Sequence, residues 1–325
     1  MKKPVFPPNE ADRLETLHAL NILDTSPEEG FDRVTRLARQ LFRVPMAFVS
    51  LIDTHRQWFK SAAGADLGET SRDLSFCAHA ILGDTIMIVP NTGLDPRFAD
   101  HPLVTGEPHI RFYAGCPLTM PNGARLGTLC VADVAVREFD ADAQSALRDL
   151  AAIVEDELAA RQLALQDELT KISNRRGFRL AAQQSLALCL RHGFPASLVF
   201  LDIDDFKAIN DTWGHAEGDL ALLTFADQLQ KSFRASDIFA RLGGDEFAVF
   251  FINVSAEQAE RIFLRFGEEL RKRTQEAARG YEIRYSYGVV EFEPGKHDSI
   301  DALLADGDAL MYARKKTSGS TSGRP

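Results

Sequence analysis

Hydrophobic and polar residues alternate along the first 140 positions in blocks typical of a mixed helix-and-strand domain. Helical spacing of leucines predicts a helix over residues 11–23. A second helix is predicted from position 26 to about 41, with Ser26 as its N-cap and Pro27 as its first residue. Segments of strand length then lie at residues 47–53, 56–63, 86–89, 113–120 and 127–132. We therefore predict an α+β domain over residues 1–140.

One long helix is predicted next, over residues 140–165. The positions of its seam recur at intervals of three and four residues, close to a heptad, at Leu147, Leu150, Val154, Leu158, Arg161 and Leu165. Such a seam is typical either of a helix packed on its own domain or of a two-chain coiled coil. The coiled coil is favoured because the helix joins two domains, and we interpret residues 141–166 as a connecting signalling helix.

The hydrophobic pattern restarts after Asp167. Residues 197–203 (SLVFLDI) are almost continuously apolar, as in a central buried strand, and Gly243-Gly244 suits a tight turn between two strands. Helices are predicted at 175–190, 219–233, 255–274 and 300–316, and strands at 197–203, 237–242, 245–251 and 283–290. This order predicts a second α+β domain over residues 167–316, and we expect the Ser- and Gly-rich residues 317–325 to be a disordered tail.

Composition narrows the class of protein. The chain is 45% hydrophobic and 26% charged, as in soluble globular proteins, and its net charge of −10 disfavours binding to polymeric nucleic acid. No apolar stretch approaches the roughly 20 residues of a membrane span, and residues 1–8 lack the apolar core of a secretory signal. The 4 cysteines are scattered and form no CxxC motif, so we expect a reducing, cytoplasmic location.

Acidic residues cluster at two points of the second domain. Asp202, Asp204 and Asp205 end the predicted buried strand, where an unpaired carboxylate costs several kcal/mol. Asp245 and Glu246 lie at the Gly-Gly turn. If that hairpin lies beside the strand, Asp202 and Asp245 converge on a Mg²⁺ site of the kind that also binds substrate phosphates.

The segment between these clusters carries groups suited to a nucleotide. Lys207 lies at the start of a helix, where backbone amides and its ammonium group favour phosphate. Asn210 and Asp219 are suited to a purine edge, since a carboxylate accepts hydrogen bonds from both N1–H and the exocyclic amine of guanine. Each residue alone is more often a solvated turn residue, and the joint spacing carries the interpretation.

These motifs together resemble a known family. RLGGDEFAVF (241–250) and LDIDDFKAINDTWGHAEGD (201–219) resemble the GGDEF family of diguanylate cyclases, and DELTKISNRRGF (167–178) resembles the opening segment of that family. The resemblance implies a palm-like domain, a central sheet flanked by helices. It also implies condensation of two GTP molecules into cyclic di-GMP and two pyrophosphates.

The resemblance also implies residue roles. Asp202, Asp245 and the Ile203 carbonyl would bind Mg²⁺ or Mn²⁺, two ions per GTP site, with Asp245 and Glu246 as catalytic acidic groups. Lys207 and Lys315 would contact phosphates, and Asn210 and Asp219 would contact guanine. The family's Gly-Arg-Asn pattern after the last lysine is missing here, where Lys316 follows Lys315 and is expected to compensate for the absent arginine.

Arg234 and Asp237 match the family's RxxD inhibitory motif at its usual distance from Gly243. An arginine binds phosphate and the guanine Hoogsteen edge bidentately, while an aspartate accepts hydrogen bonds from the base. The alternative is a solvent-exposed pair at a helix end. The fixed distance favours a site for inhibitory cyclic di-GMP.

The N-terminal half resembles the GAF domains that precede GGDEF domains. The resemblance is carried by RQWFK (56–60), SFCAHA (75–80) and GTLCV (127–131). Cys77 and His79 are residue types that could bind a metal, haem or bilin. A small buried cysteine with a nearby structural histidine is the better interpretation. The sequence identifies no ligand for this domain.

The leading hypothesis is a cytoplasmic diguanylate cyclase, regulated by its GAF domain and by its product. Catalysis would require a homodimer, because two half-sites, each with one GTP, must face each other. One alternative is a non-catalytic signalling module that binds GTP or cyclic di-GMP. Another is a cyclase that acts within a single GTP, whose product would be a monomeric cyclic nucleotide.

Overall fold

The computed structural model describes residues 2–65, 67–234 and 236–319. The chain divides into two compact units, and the boundary between them falls between Gln162 and Leu163. Each unit contains one antiparallel sheet with helices, which confirms the predicted α+β class. None of the helices in the described ranges is long and apolar enough to cross a membrane.

The first unit is built on a six-stranded sheet in the order β3-β2-β1-β6-β5-β4. Its strands are β1 (Met46–Ile52), β2 (Arg56–Ala63), β3 (Glu69–Ser71), β4 (Met87–Val89), β5 (Phe112–Thr119) and β6 (Arg125–Asp133). Its helices are α1 (Glu10–Ala19), α2 (Glu29–Phe42), α3 (Phe76–Ala80), α4 (Pro102–Thr105) and α5 (Ala141–Leu165), with a 3₁₀ turn at Arg72–Leu74. Sequence patterning did not predict β3 or α4, which are only three and four residues long.

The central strand β1 is buried on both faces. Val49 and Leu51 point into an apolar cluster with α1, α2 and α5, whereas Phe48 and Ile52 point into a second cluster on the opposite face with α3. The sheet is therefore covered on both faces, and each face has its own apolar core.

The predicted start of α2 is wrong by two residues. The helix begins at Glu29, with Glu28 as its N-cap, rather than at Pro27 with Ser26 as the cap. The reason is the buried Lys60, whose ammonium group donates to the Ser26 carbonyl at 2.8 Å and to the Glu28 carboxylate at 2.5 Å. Residues 25–28 wrap around this cation instead of starting the helix.

The coiled-coil interpretation of the long helix α5 is also corrected. Leu147, Val154 and Leu158 lie at 0–1% exposure in the core of the first unit. Arg161 donates to the Leu20 carbonyl at 2.8 Å and pairs with Glu28 at 3.0 Å. These seam residues thus pack on their own unit, the alternative that was not favoured, because the apolar cluster formed by the sheet, α1 and α2 covers them.

The second unit is built on a four-stranded antiparallel sheet in the order β10-β7-β9-β8. Its strands are β7 (Ala196–Ile203), β8 (Ile238–Gly243), β9 (Glu246–Ile252) and β10 (Tyr285–Glu291). Its helices are α6 (Arg175–His192), α7 (Phe206–Trp213), α8 (His215–Ser232), α9 (Ala256–Ala277) and α10 (Ile300–Gly319). Strand β7 is central, as its apolar run predicted, and every residue of it except Asp202 is buried.

Two further details depart from the sequence prediction. The helix predicted at 219–233 begins earlier, at His215, and is preceded by a separate helix α7. Helix α7 ends at Trp213, because the next residue, Gly214, has a left-handed φ of +87°. Helix α10 continues to Gly319, so the first three residues of the predicted tail 317–325 are helical. Residues 320–325 of that tail lie outside the described residues.

Candidate active site

The predicted acidic residues lie near one another at the end of strand β7, in the sheet of the second unit. Asp202 is the penultimate residue of β7 and pairs in register with Glu246, the first residue of β9. The Ile203 backbone N–H donates to the Asp245 carbonyl at 3.1 Å, which fixes the Gly-Gly turn against the end of β7. The hairpin therefore lies beside the buried strand, as the metal-site hypothesis requires.

Lys315 of α10 lies among these carboxylates. Its Nζ is 2.5 Å from Asp202 Oδ1 and 3.6 Å from Asp204 Oδ1. Burial lowers the pKa of Lys315, but the hydrogen bond and the charge of Asp202 outweigh burial and raise it. The lysine therefore stays cationic at the point where the carboxylates converge.

Two of the carboxyl groups, those of Asp202 and Glu246, hold their protons more strongly than usual. Burial raises the pKa of Asp202, reinforced by the nearby charge of Asp245, although the hydrogen bond from Lys315 opposes the shift. Burial also raises the pKa of Glu246, with Arg175 opposing and the charges of Asp308, Asp202 and Asp245 adding to it. The raised pKa values mean that the ionised forms of Asp202 and Glu246 are destabilised, and an additional cation nearby would stabilise them.

A divalent ion fits this donor set. Carboxylate and carbonyl oxygens are the ligands that Mg²⁺ and Mn²⁺ prefer. Within the described ranges, no group of three or more His, Cys, Asp or Glu side chains is arranged to hold a metal by itself. To hold such an ion, Asp202, Asp245 and the Ile203 carbonyl would need further oxygen ligands, such as those of a substrate phosphate.

Residues that sequence reasoning missed hold this site in place. Arg241 Nη1 lies 3.1 Å from Asp167 Oδ1, and its Nε donates to the Gly244 carbonyl at 2.8 Å. Arg175 donates to the Leu242 carbonyl and to Glu246, both at 3.1 Å. These arginines lie within the quoted motifs, so the sequence contained the signal, but only the fold shows what they contact.

The predicted guanine-binding pair lies on α7 and α8. A Cβ built on Gly218 would come within 2.0 Å of Asn210 Oδ1, so Asn210 lies directly over the first turn of α8. The next residue, Asp219, is exposed.

Lys207 is exposed on the first turn of α7, after Asp205, which has a left-handed φ of +53°. Lys316 lies over the ring of Tyr312 at 4.4 Å, and the structure gives it no contact with the carboxylates.

Arg234 and Asp237 lie at a separate groove of about 400 Å³. The Arg234 backbone N–H donates to Asp237 Oδ2 at 2.9 Å, so the aspartate closes the turn and leaves the arginine side chain to the groove. Burial raises the pKa of Asp237, with Arg234 opposing. Arg261 and Arg265 of α9 also line the groove, and nothing in the sequence linked them to the RxxD motif.

Two known family models match the chain, one in each half. The model described as "Diguanylate cyclase, GGDEF domain" matches residues 164–321, and the model described as "GAF domain" matches residues 26–158. These matches confirm both resemblances drawn from the sequence.

Individual proteins are also similar. A cyclic di-GMP phosphodiesterase of Pseudomonas aeruginosa is 32% identical over 82% of this chain and 45% of its own length. Diguanylate cyclase DgcP of Escherichia coli is 32% identical over 64% of this chain and 65% of its own length. The coiled coil and GGDEF domain of DgcB from Caulobacter crescentus, solved with cyclic di-GMP, is 29% identical over 55% of this chain and 92% of that chain, with a TM-score of 0.49. The chain thus spans less than two thirds of either of these two full-length relatives.

Proposed function

Because residues 164–321 belong to the GGDEF family of diguanylate cyclases and residues 26–158 to the GAF family, we propose that this chain condenses two GTP molecules into cyclic di-GMP and two pyrophosphates. The observation that carries the proposal is the hydrogen bond from the Ile203 amide to the Asp245 carbonyl. It brings the end of the buried strand and the GGDEF turn together, so that the charge of Asp245 acts on both Asp202 and Glu246.

In the proposed site, Asp202, Asp245 and the Ile203 carbonyl would bind Mg²⁺ or Mn²⁺, two ions per GTP. The ions supply Lewis-acid polarisation of phosphate oxygens and of the attacking hydroxyl. Lys315, which pairs with Asp202, would contact a phosphate of the substrate. Glu246, restrained by Arg175, adds a second acidic group beside the reacting oxygens.

The base is held at the other end of the substrate. Lys207 contacts a phosphate, and Asn210 and Asp219 bind the guanine edge. The carboxylate of Asp219 accepts two hydrogen bonds that adenine does not offer, which gives preference for GTP over ATP.

Each domain holds a single GTP, so we propose that two chains form a homodimer with their sites face to face. The 3′-hydroxyl of one GTP then attacks the α-phosphate of the other in line, and pyrophosphate leaves. A second attack in the opposite direction closes the ring. Since the proposed substrate is a cytoplasmic nucleotide, we place the protein in the cytoplasm.

We also propose that cyclic di-GMP inhibits the enzyme at the groove of Arg234 and Asp237. Arg261 and Arg265 add positive charge to the same groove, which suits a ligand with two phosphates. The GAF domain is proposed to regulate synthesis.

The experiment is a product analysis of the purified full chain with GTP and Mg²⁺. Chromatography and mass spectrometry should find cyclic di-GMP and two pyrophosphates per product molecule, and none with ATP. A monomeric cyclic nucleotide would indicate a cyclase that acts within one GTP. GTP or cyclic di-GMP binding without turnover would indicate a non-catalytic module.

A further inference from the structure

A group of polar side chains lies inside the first unit, on the face of the six-stranded sheet that α3 covers. The surrounding cluster is apolar and includes Phe48, Phe76 and Phe98. The polar members come from five different elements and are at most 5% exposed: Ser50, Gln57, Cys77, Tyr113, Thr128 and Cys130. Burying so many polar groups in an apolar interior is costly unless they satisfy one another.

These groups converge on one sulfur atom. The Sγ of Cys77 accepts a hydrogen bond from Gln57 Nε2 at 3.1 Å and from the Tyr113 hydroxyl at 3.3 Å. It also lies 3.6 Å from the Sγ of Cys130. A neutral thiol is a weak acceptor, so several donors directed at one sulfur favour its thiolate form.

The electrostatics distinguish this thiol from another buried one in the same unit. Burial raises the pKa of Cys77, but the hydrogen bonds from Cys130, Ser50, Thr128 and Tyr113 outweigh burial and lower it. For Cys116, which is equally buried at 2% exposure, burial raises the pKa to about 11. Only the first of these two thiols has surroundings that activate it.

We propose that Cys77 and Cys130 are a redox-active dithiol, which a hydroperoxide oxidises to an intramolecular disulfide. The two sulfurs are neighbours on α3 and β6, and their polar surroundings are built around the sulfur that reacts first. This site is independent of the GGDEF chemistry proposed above.

The chemistry balances in two steps. The Cys77 thiolate attacks one peroxide oxygen and the O–O bond breaks, which forms a sulfenic acid and an alcohol, or water from hydrogen peroxide, after proton uptake. The Cys130 sulfur then attacks the sulfur of the sulfenic acid, and the hydroxyl leaves as water with the Cys130 proton. Two thiols lose two electrons in total, and the peroxide gains them.

The disulfide requires a small local movement. The sulfurs must approach from 3.6 Å to about 2.05 Å. Cys77 lies on a helix of only five residues, which can shift more easily than the strand that carries Cys130. The movement removes the acceptor from Gln57 and Tyr113, so oxidation rearranges the interior of this face.

The test uses the full chain, reduced and then treated with hydrogen peroxide. Free thiols are alkylated under denaturing conditions and counted by intact mass, and the crosslink is located by peptide mapping. We expect loss of two of the 4 alkylatable thiols, a Cys77–Cys130 peptide, and recovery of all four with dithiothreitol. A crosslink through another cysteine, or four thiols still free after prolonged treatment, would overturn the proposal.

Three variants separate the roles of the two sulfurs. Cys116→Ala is the matched buried control and should still lose two thiols. Cys130→Ser, which keeps a hydroxyl donor toward Cys77, should form no disulfide, and dimedone should trap the sulfenic acid at Cys77, whereas Cys77→Ala should show neither product. Equal dimedone labelling of Cys116 and Cys77 in the Cys130→Ser chain would contradict a selectively activated thiol. The wild-type crosslink map decides the proposal even if a variant fails to fold.

Discussion

Arg241 ties Asp167, which opens the GGDEF domain, to the turn that carries Asp245. Its guanidinium pairs with the Asp167 carboxylate at 3.1 Å and donates to the Gly244 carbonyl at 2.8 Å. Asp167 also accepts hydrogen bonds from the amide and the hydroxyl of Thr170 at 2.8 and 2.7 Å. The first residues of the domain thereby help to hold the Gly-Gly turn at the end of β7.

Asp167→Asn should lower kcat strongly and the melting temperature only slightly. The side-chain oxygen of the new asparagine can still accept hydrogen bonds from Thr170, but the negative charge that orients Arg241 is lost. The Gly244–Asp245 turn is then held less firmly. Since small misplacements cost up to about 100-fold in rate, we expect a fall in kcat on the order of 10- to 100-fold. Initial rates and melting temperatures measure the two effects. Asp301→Asn, which breaks the exposed pair with Arg179, is the control and should change neither. Equal rates in Asp167→Asn and wild type would contradict a positioning role for the pair.

Asn210→Ala and Asp219→Ala should raise KM for GTP and weaken the preference over ATP. A site that hydrogen-bonds a substrate edge discriminates by orders of magnitude. Gly218→Ala gives an independent test, because its new methyl group would come within 2.0 Å of the Asn210 amide oxygen and displace that side chain. It should reproduce the effect of Asn210→Ala on KM. Unchanged GTP selectivity in all three variants would show that guanine is bound elsewhere.

Arg234→Ala should relieve product inhibition without changing the initial rate. The turn itself uses the Arg234 backbone N–H, so removal of the side chain leaves the turn intact. Progress curves of the wild type should flatten as cyclic di-GMP accumulates, and those of the variant should stay linear longer. Arg271→Ala, on the same helix α9 as Arg261 and Arg265, is the control and should behave as wild type. If Arg234→Ala and wild type are inhibited equally, the RxxD residues form only a surface pair.

Leu158→Ala should destabilise the first unit by about 2–5 kcal/mol, the usual cost of this truncation in a core. Leu158 is fully buried, whereas Leu163 on the same helix is 74% exposed, so Leu163→Ala should cost little. Thermal unfolding and sedimentation of both variants distinguish an internal seam from an intermolecular one. If Leu158→Ala dissociates a dimer and leaves the melting temperature unchanged, the α5 seam is intermolecular.

The sequence predicted the elements whose signals are local. Strand β2 was placed at its observed bounds, and the apolar run of β7 predicted its central position. The start of α2 was wrong because Lys60, more than 30 residues away, determines where residues 25–28 lie. The packing of α5 was wrong for a related reason, since periodicity shows that a helix has an apolar face but does not show what covers it.

At the candidate site, too, the sequence predicted the local motifs but not the contacts between distant residues. The motif placed Asp202 and Asp245 near each other, and the register of β7 and β9 is consistent with this. Arg241 and Arg175 were missed as positioning residues, because an arginine in a motif carries no sign of which backbone carbonyl it contacts. Asp308 on α10, whose charge raises the pKa of Asp202 and Glu246, has no recognisable spacing from them at all.

The most direct test compares wild type with Asp245→Asn and Asp202→Asn in the conversion of α-phosphate-labelled GTP to cyclic di-GMP with Mg²⁺. Each substitution keeps the side-chain shape but removes a charged ligand, so we expect folded proteins whose product formation falls at least about 100-fold. Glu268→Gln, at an exposed position of α9, is the charge-matched control and should retain full activity. Labelled cyclic di-GMP from wild type and the control, with almost none from the two aspartate variants, is the predicted result. Synthesis at wild-type rates by either aspartate variant, or no cyclic di-GMP from wild type, would contradict the account.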